Sequence, residues 1–223
     1  MNFIPGYAPL WFHFVTDTLS LLIPVWYYGL IYKKTNSEDS SSSLQKTLLL
    51  IGAAFGALIG SRLIAGLENP ELFFNPPHWI YYYGVKTVAG GIAGGILGIE
   101  IVKKILHIKN SVGDTMIGPI ALGVIIGRIG CFMIGVRDHT VGIVTSLPWA
   151  IDQGDGLMRH PTSLYEILVV GFLWISLSLF MKKRKDLIGS GIFFRIFCLG
   201  YFGFRFFVEF IKPVHPLIGG LTA

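Results

Sequence analysis

Four cations stand inside otherwise apolar stretches: Arg62, Lys86, Arg128 and Arg205. Each lies four to seven residues from one end of its stretch, which at 1.5 Å per residue is a depth of about 6–10 Å. Arg159 and Lys212 fall just above that layer, and only Glu166 and Glu209 lie at a depth to compensate it. A charge inside a bilayer is costly unless it is paired or serves a function. An excess of cations in one slice is what an anionic ligand would neutralise, and Arg forks fit a phosphate. At this depth the phosphate is that of a lipid. Each cation taken singly is also open to the simpler reading, snorkelling or a structural ion pair. Tyr201, Arg205 and Glu209 are spaced i, i+4, i+8 and share one helix face, where Glu209 either orients Arg205 or only pairs with it.

The elements that position these groups are membrane spans. Of 223 residues, 52% are apolar and 14% charged, against about 25% charged in a soluble domain. Mean hydropathy is +0.63. A soluble enzyme, a disordered chain and a disulfide scaffold are excluded. Six stretches reach the ~20 residues needed to cross the hydrocarbon core: 11–32, 46–66, 81–102, 113–135, 162–181 and 188–211. The expected fold is an all-α polytopic membrane helix bundle, with residues 1–223 forming a single transmembrane domain. Lys33, Lys34 and Lys46 mark the first loop, Lys103, Lys104 and Lys109 the third, and Lys182 to Lys185 the fifth. Basic loops stay cytoplasmic, so both termini are expected outside. No Lys or Arg precedes Lys33, so no cleavable leader is expected. Gly52, Gly56 and Gly60, and again Gly90, Gly94 and Gly98, form small-residue ridges suited to close helix packing.

Asp152 to Gly156 reads as a turn and lacks the later ligands of a calcium loop. No metal and no cofactor are expected, and no nucleotide-binding loop appears. The net charge of +5 is explained by loops and membrane layer, so no nucleic-acid partner is expected.

The run Gly127-Arg128-Ile129-Gly130-Cys131-Phe132, followed by Gly142, Leu147-Pro148-Trp149 and Arg159-His160-Pro161-Thr162-Ser163-Leu164-Tyr165-Glu166, resembles the prolipoprotein diacylglyceryl transferase family of bacteria. Tyr201 to Phe210 is similar to that family's Tyr-Gly-x-x-Arg-x-x-Val-Glu-Phe helix. Tyr28-Gly29-Leu30, Gly60 to Leu63 and Gly90-Gly91-Ile92 are weaker echoes.

The resemblance implies an enzyme of the bacterial plasma membrane. It would move the diacylglyceryl group of phosphatidylglycerol onto the lipobox cysteine of a prolipoprotein, releasing glycerol phosphate and leaving a thioether. It implies catalytic roles for Arg128, Arg205, His160 and Glu166. Substrate contacts are implied for Tyr28, Arg62, Lys86, Gly130, Gly142, Arg159, Tyr165, Tyr201 and Glu209. His160 is either a base or a turn contact, and Glu166 either a base or an ion-pair partner. His139 and Asp138 are further, weaker candidates.

The chain departs from the pattern. Cys131 and Ile134 replace two Asn, Val136 replaces a Glu, and Ala89 stands where many members carry His. Lys86, three residues before Ala89, either replaces part of that role or snorkels. Cys131 is either a small filler or a reactive thiol. Members run on from a segment like Gly219 to Thr222 into a seventh span; here either the sequence is truncated before it or this member has six spans. These departures leave a second reading open: a relative that binds or transports anionic phospholipid without thiol transfer.

Overall fold

The computed structural model describes residues 8–35, 43–68, 87–108, 111–138 and 140–213. Among them are six long α-helices: α1 Leu10–Thr35, α2 Ser43–Glu68, α3 Val88–Ile105, α4 Gly113–Ile134, α5 Thr162–Lys183 and α6 Ile192–Glu209. Each coincides with an expected span. The third starts later than 81, with Thr87 as its N-cap accepting from Gly90 N; positions 81–86, including Lys86, lie outside the described residues. The chain is an all-α membrane protein. Among the described residues, three segments are long and apolar enough to cross a membrane, Thr47–Leu67, Gly113–Asp138 and Thr162–Lys183. The helices not among them carry polar groups: His13 and Asp17 in α1, Glu100 and two lysines in α3, and Arg195, Arg205 and Glu209 in α6.

Two compact units account for these elements. One comprises residues 1–37 and 110–213, and the other residues 38–109 and 214–223. In the second unit α2 packs along α3 through the glycine ridges. A Cβ at Gly56 would strike the Gly94 carbonyl oxygen, and one at Gly98 the Gly52 carbonyl oxygen. The ridges therefore serve backbone contact, as their four-residue spacing requires.

In the first unit α1 packs on α4, which also meets α5 and α6. Leu168, Phe172, Ile175 and Leu179 recur on an exposed stripe of α5, apolar side chains that a bilayer would cover. Inside, Ile117, Val170, Phe197 and Tyr201 are fully buried. The Asp114 carboxylate, also buried, fixes the entry to α6. Its Oδ2 accepts from Gly189 N at 2.9 Å and Gly191 N at 3.0 Å, and its Oδ1 from Phe194 N at 3.0 Å. Free N–H groups at a helix start need such acceptors. Gly191 has φ 76°, a left-handed conformation that glycine adopts without Cβ strain.

The polar stretch between α4 and α5 holds a short 3-10 turn, Gly135–Asp138, and a two-stranded hairpin, β1 Ile151–Asp152 with β2 Met158–Arg159. Asp152 Oδ1 accepts from the backbone N–H groups of Gly154, Asp155 and Gly156. This segment is a turn. Ile143 N donates to Ile211 O at 2.8 Å, which ties the stretch to the end of α6.

Candidate functional site: two arginines on one carboxylate

Glu166, one turn into α5, is 2% exposed and gathers three neighbours. Its Oε1 accepts from the Tyr201 hydroxyl at 2.8 Å. Its Oε2 lies 3.0 Å from Arg128 Nε and 3.4 Å from Arg205 Nη1. Arg128 comes from α4, Tyr201 and Arg205 from α6, so three helices meet on one carboxylate. The i, i+4 spacing of Tyr201 and Arg205 puts both on the face that meets Glu166.

Glu209 stands a turn beyond Arg205. Its Oε2 is 3.9 Å from Arg205 Nη2 and 3.6 Å from Lys212 Nζ. The sequence points to Glu209 as the partner that orients Arg205; the structure makes Glu166 the nearer one and Glu209 the second. Among these five groups, three cations face two carboxylates. Glu209 Oε1 and Arg128 Nε are buried without a hydrogen-bond partner among the described residues. The 3.0 Å approach of Arg128 Nε to Glu166 is therefore an ion pair whose direction is not that of a hydrogen bond. Lys212 follows the last helix, and burial, reinforced by the Arg205 charge, pulls its ammonium down to about 8, against the opposing pull of Glu209.

The arginine–histidine–proline block lies beside this cluster in sequence but uses its groups locally. Arg159 Nε donates to Asp155 Oδ2 at 2.8 Å and its Nη1 to the Gly142 carbonyl at 3.2 Å. The Tyr165 hydroxyl accepts from Trp149 Nε1 at 2.8 Å and lies 3.1 Å from His160 Nδ1. The Tyr165 hydroxyl either donates to Nδ1 or accepts from Nδ1–H, according to the His160 tautomer. Both Glu166 oxygens are engaged, by two cations and a hydroxyl.

The glycines singled out by the sequence are places of close approach. A Cβ on Gly142 would come within 2.5 Å of the His160 Cβ. One on Gly130 would strike the Thr16 hydroxyl of α1. Tyr28 is buried on α1. Arg62 belongs to the other unit, where its Nη1 lies 3.4 Å from the Leu58 carbonyl. Lys86 and His139 fall outside the described residues.

Sequence reasoning missed His13. A lone histidine in an apolar span carries no local signal, and its partners lie far along the chain. Its Nδ1 is 2.9 Å from Asp17 Oδ2, and its Nε2 is 2.9 Å from Asp138 Oδ1. Arg128 Nη1 lies 3.8 Å from Cys131 Sγ, so this polar group adjoins the arginine cluster.

The fold and the site define a polytopic α-helical membrane protein with a buried arginine pair gathered on one carboxylate. Comparison with known proteins is more particular. The profile of the prolipoprotein diacylglyceryl transferase family matches residues 11–223. The chain is 31% identical over 219 residues to the phosphatidylglycerol–prolipoprotein diacylglyceryl transferase of Vibrio parahaemolyticus, covering 88% of this chain and 77% of that protein. It is 29% identical over 231 residues to the transferase of Bordetella bronchiseptica, covering 90% and 83%. The transferase of Mannheimia succiniciproducens is 30% identical over 217 residues, with 88% and 79% covered. The chain belongs to the prolipoprotein diacylglyceryl transferase family.

Proposed function

We propose that this chain transfers the diacylglyceryl group of phosphatidylglycerol to the lipobox cysteine thiol of bacterial prolipoproteins, acting as one transmembrane domain, residues 1–223, in the bacterial plasma membrane. The observation that carries the reading is the convergence of Arg128 and Arg205 on the buried Glu166. The reaction forms a carbon–sulfur bond at an sp³ carbon of the glyceryl group. It breaks the bond from that carbon to the phosphate oxygen, and the electron pair leaves with glycerol phosphate. Catalysis requires positive charge where that negative charge develops. Arg128 and Arg205 supply it, and Glu166 and Tyr201 hold them in place before substrate arrives.

Glu209 Oε1, buried and without a partner among the described residues, is an acceptor for a hydroxyl, which the glycerol headgroup carries. Lys212 adds charge at the same carboxylate. Tyr28, Gly130, Gly142, Arg159 and Tyr165 shape the surroundings of the substrate, with His160 acting through Tyr165 as a positioning group. Arg62 and Lys86 contribute further contacts to lipid.

The test is replacement in the cell. A bacterium depleted of its own transferase is given this chain, and a reporter lipoprotein is analysed by mass. Diacylglyceryl on the lipobox cysteine is expected. An unmodified reporter, with the chain inserted in the membrane, would contradict the proposal.

A further inference from the structure

His13 on α1, Cys131 on α4 and Asp138 in the turn after α4 bring a nitrogen, a sulfur and an oxygen within 4.8 Å of one another. The His13 and Asp138 side chains are 19% and 16% exposed, so the trio is shielded yet reachable. Two further groups hold these ligands from behind. Asp17, one turn along α1, takes His13 Nδ1 at 2.9 Å, and Thr140 Oγ1 donates to Asp138 Oδ2 at 2.8 Å. His13 Nε2 and Asp138 Oδ1 stand 2.9 Å apart, hydrogen-bonded to each other beside the Cys131 sulfur, and a metal would replace that bond.

That is the arrangement a metal-binding histidine uses, its second ring nitrogen given to a carboxylate and the ligating carboxylate itself hydrogen-bonded. Nitrogen, thiolate and carboxylate together suit Zn²⁺, which binds them at about 2.0–2.3 Å in a tetrahedron. Ligand atoms of such a tetrahedron stand roughly 3.3–3.7 Å apart. The 2.9 Å pair would open slightly and the sulfur would close in. Three protein ligands leave a fourth position, as in zinc sites that act on substrates. Thiolate and Asp138 balance the dication, and Arg128, 3.8 Å from the sulfur, borders the site.

We propose that His13, Cys131 and Asp138 form a Zn²⁺ site whose fourth position takes the lipobox cysteine as thiolate. This role rests on the transferase reading above. Coordination deprotonates a thiol outright, and the proton passes to solvent water. The sulfur lone pair then forms the bond to the glyceryl carbon while the carbon–oxygen bond to phosphate breaks. Glycerol phosphate departs with that electron pair beside Arg128 and Arg205. The thioether product carries no charge on sulfur and is released as a weaker ligand. No redox partner is needed. The site would supply thiol activation in a chain that has Ala89 and Cys131 where the family pattern has His and Asn.

The experiment uses tag-free full-length protein in detergent, titrated with Co²⁺ as a spectroscopic substitute for Zn²⁺. One equivalent should bind, with a thiolate-to-cobalt band in the near ultraviolet and visible bands of tetrahedral intensity. Cys131→Ser should abolish the ultraviolet band and weaken binding at least tenfold, as should His13→Ala. Asp138→Asn, a smaller change, should weaken binding while retaining the band, with helical content checked by circular dichroism. A lipobox peptide should intensify the ultraviolet band, and a peptide with serine for cysteine should not. Absence of stoichiometric metal, a Cys131→Ser spectrum like that of the parent, or no response to the peptide thiol would each overturn the proposal. Lipidation by rigorously metal-free protein would overturn it while leaving the transferase reading intact. Metal and thiol binding without lipidation would uphold the site and sink that reading instead.

Discussion

Arg128 Nε stands 3.0 Å from Glu166 Oε2, close enough for ion pairing but off the direction of a hydrogen bond. The carboxylate thus neutralises the guanidinium without exhausting its donors. Arg205 shares the same oxygen at 3.4 Å. In the proposed reaction this preformed triad is where the lipid phosphate binds.

Glu166→Gln should expose this balance. Removing one member of a buried charge group costs about 3–5 kcal/mol, because the partners stay buried and uncompensated. Apparent melting in detergent should fall accordingly. Added phosphatidylglycerol should recover more stability in the variant than in the parent, since its phosphate replaces the lost charge. Equal stabilisation of both would argue that the lipid phosphate does not reach the arginines.

Lys212 gives a pH signature. Its ammonium titrates near pH 8 because burial and Arg205 disfavour its charge, with Glu209 opposing them. The charge is present below that value and lost above it. Affinity for phosphatidylglycerol, measured by native mass spectrometry or fluorescence, should therefore weaken about fivefold between pH 7 and 9, roughly 1 kcal/mol. Arg is always charged, so Lys212→Arg should flatten this dependence. A parent curve that is already flat would count against Lys212 as a contact to lipid.

Asp114 tests the scaffold rather than the chemistry. Asp114→Ala leaves three backbone N–H groups at the start of α6 without their acceptor. The loss should be about 2 kcal/mol, read as a lower melting temperature. Because α6 carries Tyr201 and Arg205, transfer should also slow. An unchanged melting temperature would mean that other groups cap α6.

The spans and the small-residue ridges were legible because hydropathy and four-residue spacing are local properties. That Gly56 meets Gly94 is seen only in the structure. Arg128 and Arg205 were also legible, since charges inside apolar runs are conspicuous and their motifs resemble a known family. Which carboxylate they share was not. Glu209 lies four residues from Arg205 and invites pairing, whereas Glu166 reaches it only once α5 and α6 have packed. His13 with Asp138 is the extreme case. The two are 125 positions apart, and nothing in the sequence near either announces the other. The hairpin of residues 151–159 was seen only as a turn, because paired strands of two residues leave no periodic pattern.

The most direct measurement incubates purified protein with phosphatidylglycerol and a lipobox peptide and follows the mass of the peptide. A diacylglyceryl increment on the cysteine is expected, accompanied by an equal amount of glycerol phosphate. In Arg128→Ala and Arg205→Ala the rate should fall about a hundredfold or more, the loss typical of a donor that stabilises developing charge. A parent protein that binds phosphatidylglycerol but leaves the peptide unmodified, or arginine variants that transfer at the parent rate, would contradict the central claim.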